Sequence, residues 1–268
     1  MTRRGLTLAE LLIALVVFGI LGTALARLMI GNSRFVSRQE AQLEARQTAR
    51  AAMNSVVAEL RMVSDGGLIA AAADSVTVRI PYAFGVLCKN QYAVLAPPDS
   101  VLYANAVMAG LAYRLPGGAY TFNTAVTVTG TTASTADCTA DSIRSVPSGI
   151  RITLSQNNLA PAGTIFYLFQ QVTYRFAASA ALPGRRALWR RIGATNEEIL
   201  SPFSTTARFA FLVGSRLTVQ TAPPATLDSI QGLELRLVGE SDAVPSGSST
   251  PAQYTLAPRV KFVNRVLQ

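Results

Sequence analysis

No histidine occurs anywhere in the 268-residue chain. That absence removes His-based general bases, Ser-His-Asp and Cys-His arrangements, and the commonest zinc and haem ligand sets. Lysine is nearly missing as well. Lys89 and Lys261 are the only two, neither stands in an S-x-x-K context, and there is no G-x-x-x-x-G-K phosphate loop. The 15 acidic residues are scattered or lie in a predicted helix, so no carboxylate pair stands out for acid–base work. Cysteine is limited to Cys88 and Cys138, 50 positions apart and too few for a metal cluster. In an oxidising compartment the two could pair, which contributes about 4 kcal/mol in the chain-entropy picture; otherwise they are two buried thiols. These scarcities point away from an enzyme, and no cofactor or metal is expected.

Charge is sparse, at 15% of residues, while half the chain is apolar. This composition excludes a disordered polyelectrolyte and gives enough apolar surface for one large domain or two small ones. The net charge of +9 is carried almost entirely by arginine. Basic residues never run beyond pairs such as Arg185-Arg186 and Arg190-Arg191. That is a thin footprint for nucleic acid, and solvated strand faces account for it equally.

The apolar residues are concentrated at the N-terminus. Residues 11–26 (LLIALVVFGILGTALA) carry no charge, and extending the run over 6–30 makes it long enough to cross a bilayer. Arg27 at its far end can snorkel to headgroups. Glu10, inside the run, cannot do so easily and asks for a functional explanation. Arg3 and Arg4 precede the run and should hold the N-terminus in the cytoplasm while the remainder is exported.

MTRRG followed by LTLAE resembles the prepilin leader of the type IV filament superfamily. Gly5 matches the residue before that family's cleavage point, and Leu6, Thr7, Leu8 and Glu10 match the first, second, third and fifth residues after it. The resemblance implies cutting after Gly5 by a prepilin peptidase/N-methyltransferase, methylation of the Leu6 amine, and pairing of Glu10 with the amine of a neighbouring subunit. Two departures are visible: Leu6 stands where phenylalanine is most frequent, and no helix-bending proline lies near Arg27. Loss of Arg3 and Arg4 would lower the net charge to +7. Two other readings remain. Ala24-Leu25-Ala26 is an A-x-A signal-peptidase pattern behind a twin-arginine-like opening, and a plain uncleaved anchor needs no cut.

Downstream, residues 34–64 have no proline and are rich in Ala, Gln, Glu, Arg and Leu. Met53, Val56, Val57, Leu60 and Val63 follow the spacing of one buried helical stripe. The upstream part looks polar, and its like-charge pairs Glu40/Glu44 and Arg46/Arg50 do not support one another. A single helix over 6–64 would span about 90 Å.

After Gly67 the pattern becomes short β-branched runs between turn residues. They fall at 75–80, 125–129, 150–154, 164–169, 171–176, 187–192, 207–213, 233–238 and 259–266. Turn signals lie at Pro81, Pro97-Pro98, Pro116-Gly117-Gly118, Pro183-Gly184 and Pro223-Pro224. Strands without intervening helices predict an antiparallel sheet. The fold class is therefore α+β, with a long N-terminal membrane-spanning helix packed on an antiparallel β-sheet domain. The organisation is leader 1–5, membrane or filament-core half-helix 6–30, extramembrane half-helix 31–64, and β-rich domain 65–268. The run VTYRF, a Pro-Gly turn, ALWRRI, a polar loop to Ile199-Leu200, then ARFAFLV and GLELRLV resembles the C-terminal half of W-type minor pilins and J-type pseudopilins.

Residues 127–139 and 241–250 read as Ser/Thr/Gly loops, with Asp137, Asp141, Glu240 and Asp242 in or near them and no ligand spacing. The expected function is a minor pilin or pseudopilin in the inner membrane, its domain periplasmic or extracellular, with other pilins and membrane lipid as partners. The alternative is a displayed binding module for DNA or another ligand, with Trp189, Tyr174 and Arg175 as a stacking and cationic surface.

Overall fold

The computed structural model describes residues 8–133, Cys138 and residues 149–262. Helix α1 runs unbroken over Leu8–Leu60, passing through Ala24–Ala26 without interruption and ending four residues before the predicted stop. Its buried stripe is Ala41, Ala45, Thr48, Ala49, Ala52, Val56 and Leu60. These positions repeat at three to four residues, so they form one face. The upstream half of that face is made of alanine, which is why it reads as polar from sequence. Met53 and Val57 flank the stripe and are half-buried.

Fifteen strands follow among the described residues, and every pairing between them is antiparallel. They are β1 (Leu68–Ala71), β2 (Ser75–Leu87), β3 (Tyr92–Leu95), β4 (Gly110–Arg114), β5 (Tyr120–Asn123), β6 (Val128–Thr132), β7 (Ile150–Leu154) and β8 (Ile165–Ala178). Then come β9 (Arg186–Ile192), β10 (Thr195–Phe203), β11 (Arg208–Val213), β12 (Thr218–Gln220), β13 (Ile230–Glu240), β14 (Gln253–Leu256) and β15 (Arg259–Lys261). A short helix α2 (Pro97–Asn105) lies between β3 and β4.

The long strands β2 and β8 pair from Ser75↔Arg175 to Val86↔Ile165 and join two halves of one sheet. In the first half, β8 continues into β9, β10, β13, β11 and β12, and β14 and β15 also pair with β13. Helix α1 covers this half, packing on β13, β14 and β10. Val56, Leu60, Tyr174, Phe176, Phe209 and Leu235 are central to its core. In the second half, β2 continues into β3, β7 and β6, and β8 into β4 and β5. A second core there gathers Leu87, Leu95, Ile152, Phe166 and Leu168, with Tyr103 of α2 packed against it. Cys88 and Cys138 are joined by a disulfide with a Cα–Cα distance of 5.2 Å, both sulfurs buried beside Val94.

Several turn signals proved to be something else. Pro81 lies inside β2 at a register shift between Pro81 and Ala83, where the missing N–H costs no ladder bond. Pro97-Pro98 opens α2, since proline suits the first helical turn. The runs at 164–169 and 171–176 are one strand, and the polar stretch after Gly193 is β10 rather than a loop. The strand expected at 125–129 is β6, displaced to Val128–Thr132 and so running into the stretch read as loop. Of the predicted strand 259–266, Arg259–Lys261 is observed and 263–266 lie outside the described residues.

Candidate functional site

The N-terminal half of α1 has no protein around it. Leu11, Leu12, Ile13, Val17, Phe18 and Leu21 are all exposed, and at about 100° per residue they encircle the helix. Phe18 is 74% exposed and Met29 73%. A helix apolar on every side is stable only in lipid or among other helices. Among the described residues α1 alone is long and apolar enough to cross a membrane, and none of its most apolar stretch is buried.

Glu10 stands in the first turn of this helix, exposed and the only acid there. Its position at the N-terminal end is electrostatically favourable, because the unsatisfied N–H groups carry partial positive charge. The remaining signal residues, Arg3, Arg4, Gly5 and Leu6, lie outside the described residues.

The other half of α1 is fastened to the sheet by three sets of contacts. At its C-terminal end, Glu59 accepts hydrogen bonds from the Tyr174 hydroxyl and from Arg190, whose Nη2 lies 2.9 Å from Oε1. Burial, and then the adjacent Glu59 carboxylate, push the Tyr174 pKa far up, so its hydroxyl remains a donor at any ordinary pH. Burial works to lower the Arg190 pKa, but Glu59 and Tyr174 together more than reverse it. Just past the helix, Ser64 hydrogen-bonds the Tyr167 hydroxyl, and burial raises the Tyr167 pKa to about 12.

In the middle, alanine lets the helix lie directly on β13. A Cβ on Gly239 would stand 2.3 Å from the carbonyl oxygen of Ala45 and 3.1 Å from the Ala49 nitrogen. Nearest the apolar half, the loop 241–252 lies along the helix. The Ser246 N–H donates to Ser37 Oγ (3.1 Å), Arg38 Nη2 donates to the Gly247 carbonyl (3.4 Å), and the Arg46 guanidinium sits 5.0 Å from the centre of the Tyr254 ring. Glu44 meets Asp242 here, and burial together with that second carboxylate raises the Glu44 pKa.

The acids of the Ser/Thr-rich loops are otherwise engaged. Glu240 accepts from Arg185 (3.0 Å) and from Gln253 (2.8 Å). Asp137 and Asp141 lie outside the described residues. Among the described residues no group of three or more His, Cys, Asp or Glu side chains is placed to hold a metal ion. The proposed stacking trio is divided. Arg175 and Trp189 are cross-strand partners on the face away from α1, whereas Tyr174 points into the core and binds Glu59. On a strand, neighbours 174 and 175 must face opposite ways.

Residues 1–26 match the family described as the prokaryotic N-terminal methylation motif. The chain carries a type IV pilin-like prepilin signal. The matched region ends inside the bare apolar half of α1, ahead of the first buried residue, Ala41. No curated protein and no solved structure matches the chain.

Sequence reasoning missed Glu59, Arg190 and Gly239, and it placed Tyr174 on a stacking surface instead of in the core. The partners of Glu59 lie 115 and 131 positions away, and nothing local marks them. The one available signal was an acid at the edge of an apolar helical stripe, which requires a partner on whatever the stripe packs against.

Proposed function

We propose that the chain is a minor pilin or pseudopilin, a structural subunit that helps initiate or cap a type IV pilus or type II secretion filament. It acts as a building block and not as an enzyme. The observation that carries this reading is the prepilin signal at the head of one continuous helix, bare and apolar in its first half and built into a β-domain in its second. A prepilin peptidase/N-methyltransferase cuts after Gly5 and methylates the amine of Leu6. The helix first anchors the subunit in the inner membrane with the domain outside, then exchanges lipid for the helices of other subunits.

In that exchange Glu10 gives direction. A carboxylate in a low-dielectric surrounding is costly alone, and the amine of a neighbouring Leu6 offsets much of that cost in one axial register only. Intact mass and N-terminal sequencing of protein from native membranes test the processing step. A methylated start at Leu6 is expected, whereas a start at Arg27 would make the domain a soluble export and end the filament reading.

A second reading, a displayed DNA-binding module, draws on the pairing of Arg175 with Trp189 on the open sheet face. Because residues 41–60 belong to the core, the assay needs the helix as well as the β-domain. Salt-sensitive binding of single-stranded DNA by the full chain would favour this reading, and no binding at low salt would remove it.

A further inference from the structure

Between Leu11 and Gln39 the only charged residues of α1 are Arg27, Arg34 and Arg38. Their spacings of seven and four residues place them along one stripe of the helix, and all three are exposed. The apolar stretch from Leu8 to Ile30 is about 34 Å long, close to the thickness of a bilayer's hydrocarbon core. Arg34 then lies about 6 Å beyond that core and Arg38 about 12 Å beyond it, at the depth of the headgroups and just past them.

The loop 241–252 comes down to the same level. It is pinned at Ser37 and Arg38, and its tip at Gly247 lies against the Arg34 side chain, where an added Cβ would be 3.3 Å from Cδ. Val244 on this loop is 45% exposed. Arginines that follow a spanning segment on the exported side run against the usual retention of basic residues in the cytoplasm, so an anionic partner must compensate them where they sit.

We propose that the Arg27–Arg34–Arg38 stripe and the adjoining loop 241–252 form a footing on anionic lipid. The guanidinium groups engage headgroup phosphates, and the loop rests in the interface with Val244 toward the membrane. Guanidinium suits this task because its donors match two phosphate oxygens at once. The footing holds the β-domain upright on the membrane and is released when the helix leaves the bilayer. It rests on the reading of α1 as a membrane anchor, and the two can fail separately.

The test uses the full chain, with Trp189→Phe to remove the native indole, reconstituted in vesicles of phosphatidylglycerol and phosphatidylcholine. A tryptophan is placed either at Leu15 (Leu15→Trp) or at Val244 (Val244→Trp), and quenching by nitroxide lipids labelled near the headgroup or deep in the chain is compared. The expected result is deep quenching at position 15 and shallow quenching at 244. The contact at 244 should weaken about fivefold for each arginine removed in Arg34→Gln and Arg38→Gln, and likewise fade in pure phosphatidylcholine. Deep quenching at 15 with none at 244, or quenching at 244 indifferent to lipid charge and to both arginines, overturns the footing and leaves the anchor intact. Shielding of 244 that appears only as protein is crowded in the vesicle assigns the surface to a second copy and also overturns it. Loss of quenching at 15 itself overturns the anchor.

Discussion

Gly239→Ala should be among the more damaging single-methyl changes in the β-domain. The added Cβ meets backbone, the Ala45 carbonyl oxygen at 2.3 Å and the Ala49 nitrogen at 3.1 Å, and backbone in the middle of a helix cannot swing aside. Restoring an ordinary contact requires α1 to lift by about 1 Å from β13, and overpacking of this kind costs about 1–3 kcal/mol. Gly239 lies in β13 with a φ that any residue adopts, so alanine also recovers about 0.5–1 kcal/mol by restricting the unfolded chain. The balance is a loss of about 1–2 kcal/mol. The matching control is Gly130→Ala in β6, whose Cβ would find only the Thr153 side chain at 3.9 Å and which should therefore keep the gain of about 0.5–1 kcal/mol. Denaturant unfolding of the detergent-solubilised full chain, followed by Trp189 fluorescence, reads both. If Gly239→Ala proves as stable as Gly130→Ala, the claim that small residues set the helix-to-sheet distance is wrong.

Four further outcomes follow from the same contacts. Glu59→Ala leaves the buried Tyr174 hydroxyl without its acceptor and should cost about 1–3 kcal/mol, while adding Tyr174→Phe should recover part of the loss in the double variant's unfolding curve. Replacing Cys88 and Cys138 together by serine should remove about 2–4 kcal/mol, with hydrogen exchange accelerating first in β3 and β7. Glu44→Gln should raise stability at neutral pH. The folded state raises the pKa of Glu44, so its destabilising effect is absent where the carboxyl keeps its proton and appears as pH rises through the raised value. The variant and parent should therefore converge in unfolding experiments below about pH 4, and a gain that persisted there would refute the buried charge of Glu44 as its cause. Glu10→Ala should leave the protein stably anchored but poorly incorporated, as read by the ratio of sheared-filament to membrane-bound protein, and normal incorporation would remove the role assigned to Glu10.

How much could be read beforehand depended on whether the determinant was local. The apolar run and the prepilin signal at its head are encoded within a few residues of one another, and they were legible. So was the antiparallel class, because β-branched runs without helices between them leave few other arrangements. What escaped was set by contact partners distant in the chain. Alanines 41, 45, 49 and 52 carry too little hydrophobicity to mark a buried face, and only the glycine opposite explains why small side chains belong there. Thr195–Phe203 opens with Thr-Asn-Glu-Glu because both faces of the hairpin are exposed at that end, so its composition imitates a loop. Pro81 and Pro97 were misread for one shared reason, since proline marks a missing N–H and not a turn as such.

The order in which the chain emerges gives the alanine face of α1 a further consequence. Helix residues 41–60 are made early, yet the strand they rest on, Ile230–Glu240, comes almost two hundred positions later. Throughout that interval the helix must stand without its cover. A leucine face would adhere to lipid or to another nascent chain, whereas alanine keeps the helix wound at little cost and offers strangers almost nothing to hold. The same small side chains that bring helix and sheet close in the finished subunit thus let the helix wait, unsatisfied and harmless, for the last part of its own chain to arrive.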